Sequence, residues 1–345
     1  MSAGLGQPVF RFAPSPNGRL HLGHAYCALL NADFAARAHG RLLLRIEDID
    51  PVRSRPALIA AIQSDLAWLG LTFEAPVRRQ SQHGPAYRAA LDRLIARGLA
   101  YPCFCTRGDV RAATAAGPTP RDPDDAPLYP GTCRALDPRT AAVRRAAGEP
   151  HAWRMDTARA RASVSGPLTY RAFDAPETNM ARHRDAAPSS VRERVGVRDE
   201  NHPERSRPSS QSSPPGRRDP RAIRVEDEAR GPDGDHSVAA DPARWGDPVI
   251  ARRDGAASYH LAVVVDDAAQ GVTHVVRGRD LEAATDLHVL LQALLGLETP
   301  RYHHHGLILG PDGAKLSKSK NSETLADLRA RGARAEAIRA RLGFA

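Results

Sequence analysis

The sequence predicts an α/β fold: a doubly wound, mostly parallel sheet with a small lobe inserted between its two halves. Three observations predict it. Short strand-like runs alternate with helical patterns through the first 98 residues, the order that builds a parallel sheet. One of those runs, RLLLRIED, is apolar without alternation over its core, as a strand buried on both faces should be. Ordered texture then resumes at DPARWGDPVIARRDG, after a stretch whose composition cannot support a core.

Taken in order, Pro8 to Ala13 reads as a short buried strand running into the turn PSPNG. A helix follows from about Leu22 to His39, with Gly40 expected as its C-cap. RLLLRIED is the second strand, and helical patterns return over Pro56–Leu69 and Gly84–Arg97. Residues 1–98 thus form the first half of a Rossmann-like domain, with ligands expected at the carboxyl ends of its strands. From Leu99 the texture turns to Cys, Pro, Gly and Asp, which marks 99–173 as an inserted lobe. Residues 174–240, Asp174 to Ala240, hold eight prolines and no aromatic residue. Such a segment cannot bury enough apolar surface to offset its chain entropy, so disorder is expected there. Residues 241–345 supply the second half: two apolar stretches, YHLAVVVDD and THVVRGRDL, then a helix near Ala283–Leu295. A polar loop and a final helical pattern from about Ser322 to Leu342 close the chain.

Composition narrows the class. A chain of 345 residues, 41% hydrophobic, can bury a substantial core. No apolar run approaches the roughly 20 residues of a membrane span. The N-terminal residues lack a signal-peptide layout, so a cytoplasmic protein without membrane partners, and a monomer, is expected. A net charge of +9 suits a nucleic-acid partner, although an arginine-heavy, lysine-poor chain also fits a GC-rich genome. Four cysteines argue against a disulfide scaffold and for a metal site or a reduced interior.

Two short motifs carry nucleotide chemistry. In PSPNGRLHLGH, His21 and His24 stand three residues apart at a helix start, which places both imidazoles on one face of the first turn. The helix N-terminus adds N–H groups and partial positive charge for a triphosphate, and Gly23 leaves room for a flat base. In KLSKS, Lys315 and Lys318 flank a serine and can neutralise charge growing on transferring phosphoryl oxygens. Each motif alone is also compatible with ordinary solvated surface. Their order, within an α/β pattern, makes the pair specific.

Through RFAPSPNGRLHLGH, RIEDID, SYHLAVVVDD, GVTHVVRGRDL and KLSKS the chain resembles the class I aminoacyl-tRNA synthetases of the glutamyl type. The blocks span nearly everything except residues 174–240. The resemblance implies a class I catalytic domain, ATP with magnesium, and His21, Gly23, His24, Lys315 and Lys318 at the nucleotide. It places Arg11, Ser15, Glu47, Tyr259 and Arg277 around bound L-glutamate, with Arg11 on the side-chain carboxylate. Chemistry agrees: two carboxylates need forked cations, and an ammonium needs an anion. Structural alternatives stand beside this, with Arg11 as an edge charge, Glu47 paired to Arg45 or Arg53, and Tyr259 in the core.

Cys103, Cys105 and Cys133 begin a tetrahedral zinc site, whose fourth ligand is usually Cys or His. No histidine lies between the two halves, and Cys27 reads as core. The resemblance supplies Tyr129 as the fourth ligand, since short glutamyl-type synthetases share C-x-C with Y-x-x-x-C. One structural zinc would then staple a lobe too small for its own core.

The chain ends at Ala345, 26 residues after Ser319, where conventional glutamyl enzymes continue into an anticodon-reading region. The resemblance therefore points to the shortened paralogues that esterify glutamate to queuosine at the wobble position of tRNA(Asp). A truncated glutamyl-tRNA synthetase, a nucleotidyltransferase and a catalytically silent tRNA-binding paralogue are the competing readings.

Overall fold

The computed structural model describes residues 6–115, 117–174, 224–225, 235–310, 316 and 322–344. Its strands are β1 (Val9–Phe12), β2 (Arg41–Ile46), β3 (Glu74–Arg79), β4 (Ala100–Cys103), β5 (Ala152–Met155) and β6 (Thr169–Ala172). After these come β7 (Arg224–Val225), β8 (His236–Ala239), β9 (Val249–Ala251), β10 (His274–Gly278), β11 (Arg301–His305) and β12 (Ile308–Leu309). Seven of them form one sheet in the order β3-β2-β1-β10-β11-β6-β8. All neighbours in it are parallel except the edge strand β8, which runs antiparallel to β6.

Adjacent residues on the central strands enter different cores, because side chains alternate across a strand. Val9, Leu43 and Val275 join one hydrophobic cluster. Phe10, Leu44 and Val276 join the other. The first cluster takes in α3 (Gly84–Ala96), α7 (Tyr259–Ala269) and α8 (Ala284–Leu295). The second takes in α1 (Leu22–Arg37), α2 (Pro56–Trp68), α9 (Leu325–Ala330) and α10 (Ala335–Arg341). Both faces are covered, which is why β2 could be read as a buried run.

The structure corrects several sequence expectations. Helix α1 ends two residues before His39, and His39 takes the left-handed conformation (φ 48°) assigned in the sequence to Gly40. Gly40 is needed for another reason. A Cβ there would lie 2.6 Å from the Pro8 carbonyl oxygen, closer than any side chain can approach without moving the backbone. Strand β3, EAPVRR, has no apolar alternation and was not anticipated; parallel pairing with β2 forms it. Of the two undivided apolar stretches, YHLAVVVDD is a helix, started by Ser258 accepting from the Leu261 amide, and THVVRG is β10. Arg277 lies within that strand. Gly332, at φ 83°, divides the final helical pattern into α9 and α10. Within 174–240, expected to be disordered, His236–Ala239 is an ordered edge strand, paired with β6 from Thr169↔Ala239 to Ala172↔His236. The backbone of Arg224–Val225 pairs with β12. The rest of that expectation, over 175–223 and 226–234, lies outside the described residues.

The inserted lobe carries α4 (Arg107–Ala113), α5 (Pro138–Ala146) and a three-stranded antiparallel sheet, β4-β5-β9. The short helix α6 (Thr157–Ala162) leads back toward the main sheet. The lobe's own buried cluster is small: Cys103, Phe104, Cys133 and Ala141. Among the described residues no helix is long and apolar enough to cross a membrane.

Candidate active site

The site assembles at the carboxyl ends of β1, β2 and β10, where backbone groups and helix N-termini converge. β1 leads through the PSPNG turn into α1, and His21 caps that helix. His21 Nδ1 accepts from the Gly23 amide at 3.1 Å, and His24 Nδ1 accepts from the His21 amide at 3.2 Å. The two imidazoles thus form a reciprocal capping box, with ring centroids 3.9 Å apart. A backbone N–H can only donate, so both Nδ1 atoms are acceptors and each neutral ring carries its proton on Nε2. The sequence placed the pair on one face; the structure adds that their tautomers are set. Gly23 sits against His21, where a Cβ would approach Cε1 at 3.0 Å.

Lys315 and Lys318 lie outside the described residues. The flanks of their loop are described. Leu316 N donates to Ile308 O, Leu325 N donates to Leu20 O, and Thr324 bridges His21. Ile308, Leu325, Leu20 and Leu22 share one hydrophobic cluster, so both ends of the loop are anchored beside the HLGH turn.

Behind the turn lies a buried charge network. Arg45 is fully buried; its Nη1 donates to Asp267 Oδ1 at 2.6 Å and its Nη2 to Glu47 Oε1 at 3.2 Å. Arg11 Nε shares the same Asp267 oxygen at 3.1 Å. Asp266, alongside, receives Arg78, Gln80 and the Tyr87 hydroxyl. Burial alone would raise Asp267, but Arg45 and Arg11 together hold it below the usual carboxylate range. Burial does raise Glu47, against the pull of Arg45 and Arg11.

Arg277 differs from these. It is 5% exposed, yet its partners among the described residues are all neutral. Tyr259, at the start of α7, lies 3.5 Å from its Nη1. Burial raises the Tyr259 hydroxyl, and the charges that act on it are Arg277, Glu47, Arg11 and Asp267. Four of the five residues expected around the amino acid are therefore electrostatic neighbours, with Arg277, Glu47 and Arg11 all acting on Tyr259. Ser15, the fifth, lines a cleft of about 1240 Å³ together with Glu47 and Tyr259. Of the alternatives weighed from sequence, one is present, since Glu47 does pair with Arg45, and one is not, since Arg11 is buried rather than an edge charge.

The same cleft reaches the inserted lobe, where Cys103, Cys105 and Tyr129 line it. The sulfurs of Cys103, Cys105 and Cys133 lie within 4.8 Å of one another. Cys105 Sγ is 3.4 Å from Cys133 Sγ and 3.4 Å from the Tyr129 hydroxyl. Zn–S bonds of about 2.3 Å imply tetrahedral S···S edges of about 3.8 Å, so the donor set has the size zinc needs. Tyr129 Oη also accepts from the Cys133 amide at 2.8 Å. Cys27 is absent from this group; it sits on α1 against the second core.

Several residues escaped sequence reasoning. Asp266 and Asp267 are more than 180 positions from the arginines they bind, and nothing local marks them. Arg154 donates to Cys103 Sγ at 3.4 Å and lies 3.9 Å above the Tyr129 ring. Thr285, His288 and His304 touch Arg277.

The family described as class I tRNA synthetases (E and Q), catalytic domain, matches residues 9–204 and 169–344. A glutamyl-Q tRNA(Asp) synthetase of Rhodobacter capsulatus is 41% identical over 97% of this chain and 100% of its own length. One from Symbiobacterium thermophilum is 37% identical over 97% of this chain and 85% of its own. Among solved structures, the glutamate-tRNA synthetase of Elizabethkingia anophelis aligns with a TM-score of 0.61 at 24% identity. That alignment covers 95% of this chain and 54% of the other, so the chain spans about half the length of that enzyme.

Proposed function

The chain belongs to the class I tRNA synthetases of the E and Q type, and within them to the glutamyl-Q tRNA(Asp) synthetases; from that membership we propose that it activates L-glutamate with ATP and transfers it to queuosine in tRNA(Asp). The observation that carries the glutamate reading is the buried cation Arg277, with neutral neighbours, facing Tyr259 near Glu47 and Arg11. A substrate with a side-chain carboxylate supplies the missing anion.

In this reading Glu47 and Tyr259 hold the ammonium end, and Ser15 adds a hydrogen bond. Arg277 takes the side-chain carboxylate, assisted by Arg11, whose charge is already shared with Asp267. Placing Arg277 ahead of Arg11 revises the order suggested by resemblance alone. The α-carboxylate oxygen attacks the α-phosphorus of magnesium-bound ATP, forming the glutamyl-adenylate as the bond to pyrophosphate breaks. His21 and His24 donate from Nε2 to phosphate oxygens, Gly23 gives the base access, and Lys315 and Lys318 offset the charge that develops. A hydroxyl of the queuosine cyclopentene-diol then attacks the glutamyl carbonyl and AMP leaves.

ATP–pyrophosphate exchange without tRNA tests the first step. Exchange that depends on glutamate, and runs far more slowly with glutamine or aspartate, is expected. Exchange with a neutral amino acid in preference to glutamate contradicts the reading.

Cys103, Cys105, Cys133 and Tyr129 would hold one zinc, which cross-links a lobe with few buried apolar residues. Purified protein is expected to contain about one zinc per chain. Cys105→Ser, or dialysis against a strong chelator, should remove it and lower the lobe's resistance to proteolysis. Zinc well below one equivalent in active protein contradicts the assignment.

A further inference from the structure

Arg277 is held by an unusual set of neighbours. Its Nη2 donates to Thr285 Oγ1 at 2.7 Å, its Nε to His304 Nε2 at 3.4 Å, and its Nη1 faces His288 Nδ1 at 3.3 Å. Thr285 Oγ1 lies 3.0 Å from His304 Nε2, and His288 Nε2 lies 3.2 Å from His260 Nδ1. The ring of Tyr302 sits under the guanidinium at 5.4 Å.

An arginine cannot act as an acceptor, so the direction of these bonds follows. Having received Arg277, Thr285 can turn its own hydroxyl proton to His304 Nε2, which leaves the His304 proton on Nδ1. His288 accepts at Nδ1 and passes a proton from Nε2 toward His260. Every group around the guanidinium thus offers a lone pair and none offers a charge. Burial and the Arg277 charge keep His288 and His304 neutral at physiological pH. The contrast with Arg11 and Arg45, which share Asp267, is direct.

We infer that Thr285, His288 and His304 are positioning residues that orient Arg277 while leaving its charge uncompensated, so that the pocket selects an anionic amino-acid side chain over its neutral amide. The inference rests on the glutamate reading above and deepens it. Neutral acceptors orient the guanidinium, more weakly than a carboxylate would. They do so without supplying the anion that would make a substrate carboxylate redundant. Thr285 is the sharpest member, because it is fully buried and makes the shortest contact.

The test is ATP–pyrophosphate exchange with glutamate and with glutamine, for the wild-type chain and three variants. Thr285→Val removes the acceptor at nearly constant volume; glutamate KM should rise at least tenfold while ATP KM stays within twofold. Thr285→Ser should restore glutamate KM to within about threefold of wild type. Thr285→Asp supplies the anion, and should cut glutamate kcat/KM at least a hundredfold while raising the glutamine-to-glutamate ratio at least tenfold. Urea unfolding midpoints show which variants are folded, and Thr285→Val alone carries the test if Thr285→Asp is not. Unchanged glutamate KM in folded Thr285→Val, or glutamate and ATP KM rising together, overturns the inference while wild-type exchange stands. Absence of glutamate exchange in the wild type overturns the functional reading and the inference with it.

Discussion

Arg277→Met is expected to lower kcat/KM for glutamate in ATP–pyrophosphate exchange by about a hundred- to a few thousandfold, with the protein as stable as before or more so. The first half follows from removing one partner of a buried, hydrogen-bonded charge pair, which costs about 3 to 5 kcal/mol. At about 1.4 kcal/mol per factor of ten, that is the stated range. The second half follows from the apo arrangement, in which Arg277 is a buried cation among neutral groups. Replacing it with an apolar side chain of similar length relieves a desolvation cost. Arg45→Met is the matched control. Arg45 is as deeply buried, but it contacts Asp267, Glu47 and Asp266. Its loss removes the Glu47 ion-pair partner and one of two cations each from Asp267 and Asp266, which keep Arg11 and Arg78, so Arg45→Met should destabilise the fold by several kcal/mol. Urea midpoints of the two variants measure the contrast. Equal destabilisation by both would mean that Arg277 is part of the folding network rather than reserved for a ligand.

Stability should collapse between pH 6.5 and about 4. Burial lowers His260 and His305 to about 4, and lowers His288 and His304 well below the ordinary histidine range. Unfolded histidines titrate near 6.5, so through this window the unfolded chain binds more protons than the folded one. Stability is therefore complete above pH 6.5 and is lost as pH falls toward the folded values. Each such histidine contributes up to about 1.4 kcal/mol per pH unit. Four of them can exhaust the roughly 5–15 kcal/mol that holds a domain together. Glu47, Asp65 and Asp286, raised by burial, act in the opposite sense. Urea midpoints at pH 7.5, 6.0 and 5.0 check the balance. A midpoint that stays constant across this range would show that these histidines are not held neutral.

The parts of this molecule legible in its sequence are those set by short-range signals. The strand, turn and helix around HLGH follow from a Pro/Gly turn and a capped helix start. The buried run of β2 follows from apolar residues on both faces. The lobe's donors are spaced closely enough to be read together. What escaped was set by tertiary contact. EAPVRR has no strand pattern of its own and becomes β3 only because β2 offers a parallel edge. The valines of YHLAVVVDD leave strand and helix open until Ser258 is seen capping the segment. His39, not Gly40, turns left-handed, because Gly40 is required by the nearby Pro8 carbonyl. Most tellingly, Arg11 and Arg277 are the same residue type on adjacent strands, and resemblance alone put Arg11 on the side-chain carboxylate. Asp267 separates them: it binds Arg11 and does not bind Arg277.

A glutamate-activating site of this class is proposed to serve a modified base in tRNA(Asp). The most direct measurement is transfer of labelled glutamate to purified tRNA(Asp) carrying queuosine and to the same tRNA lacking it, with tRNA(Glu) alongside. Label is expected on the queuosine-bearing tRNA(Asp), with background on the other two. Equal labelling of both tRNA(Asp) forms, or preferential charging of tRNA(Glu), would contradict it.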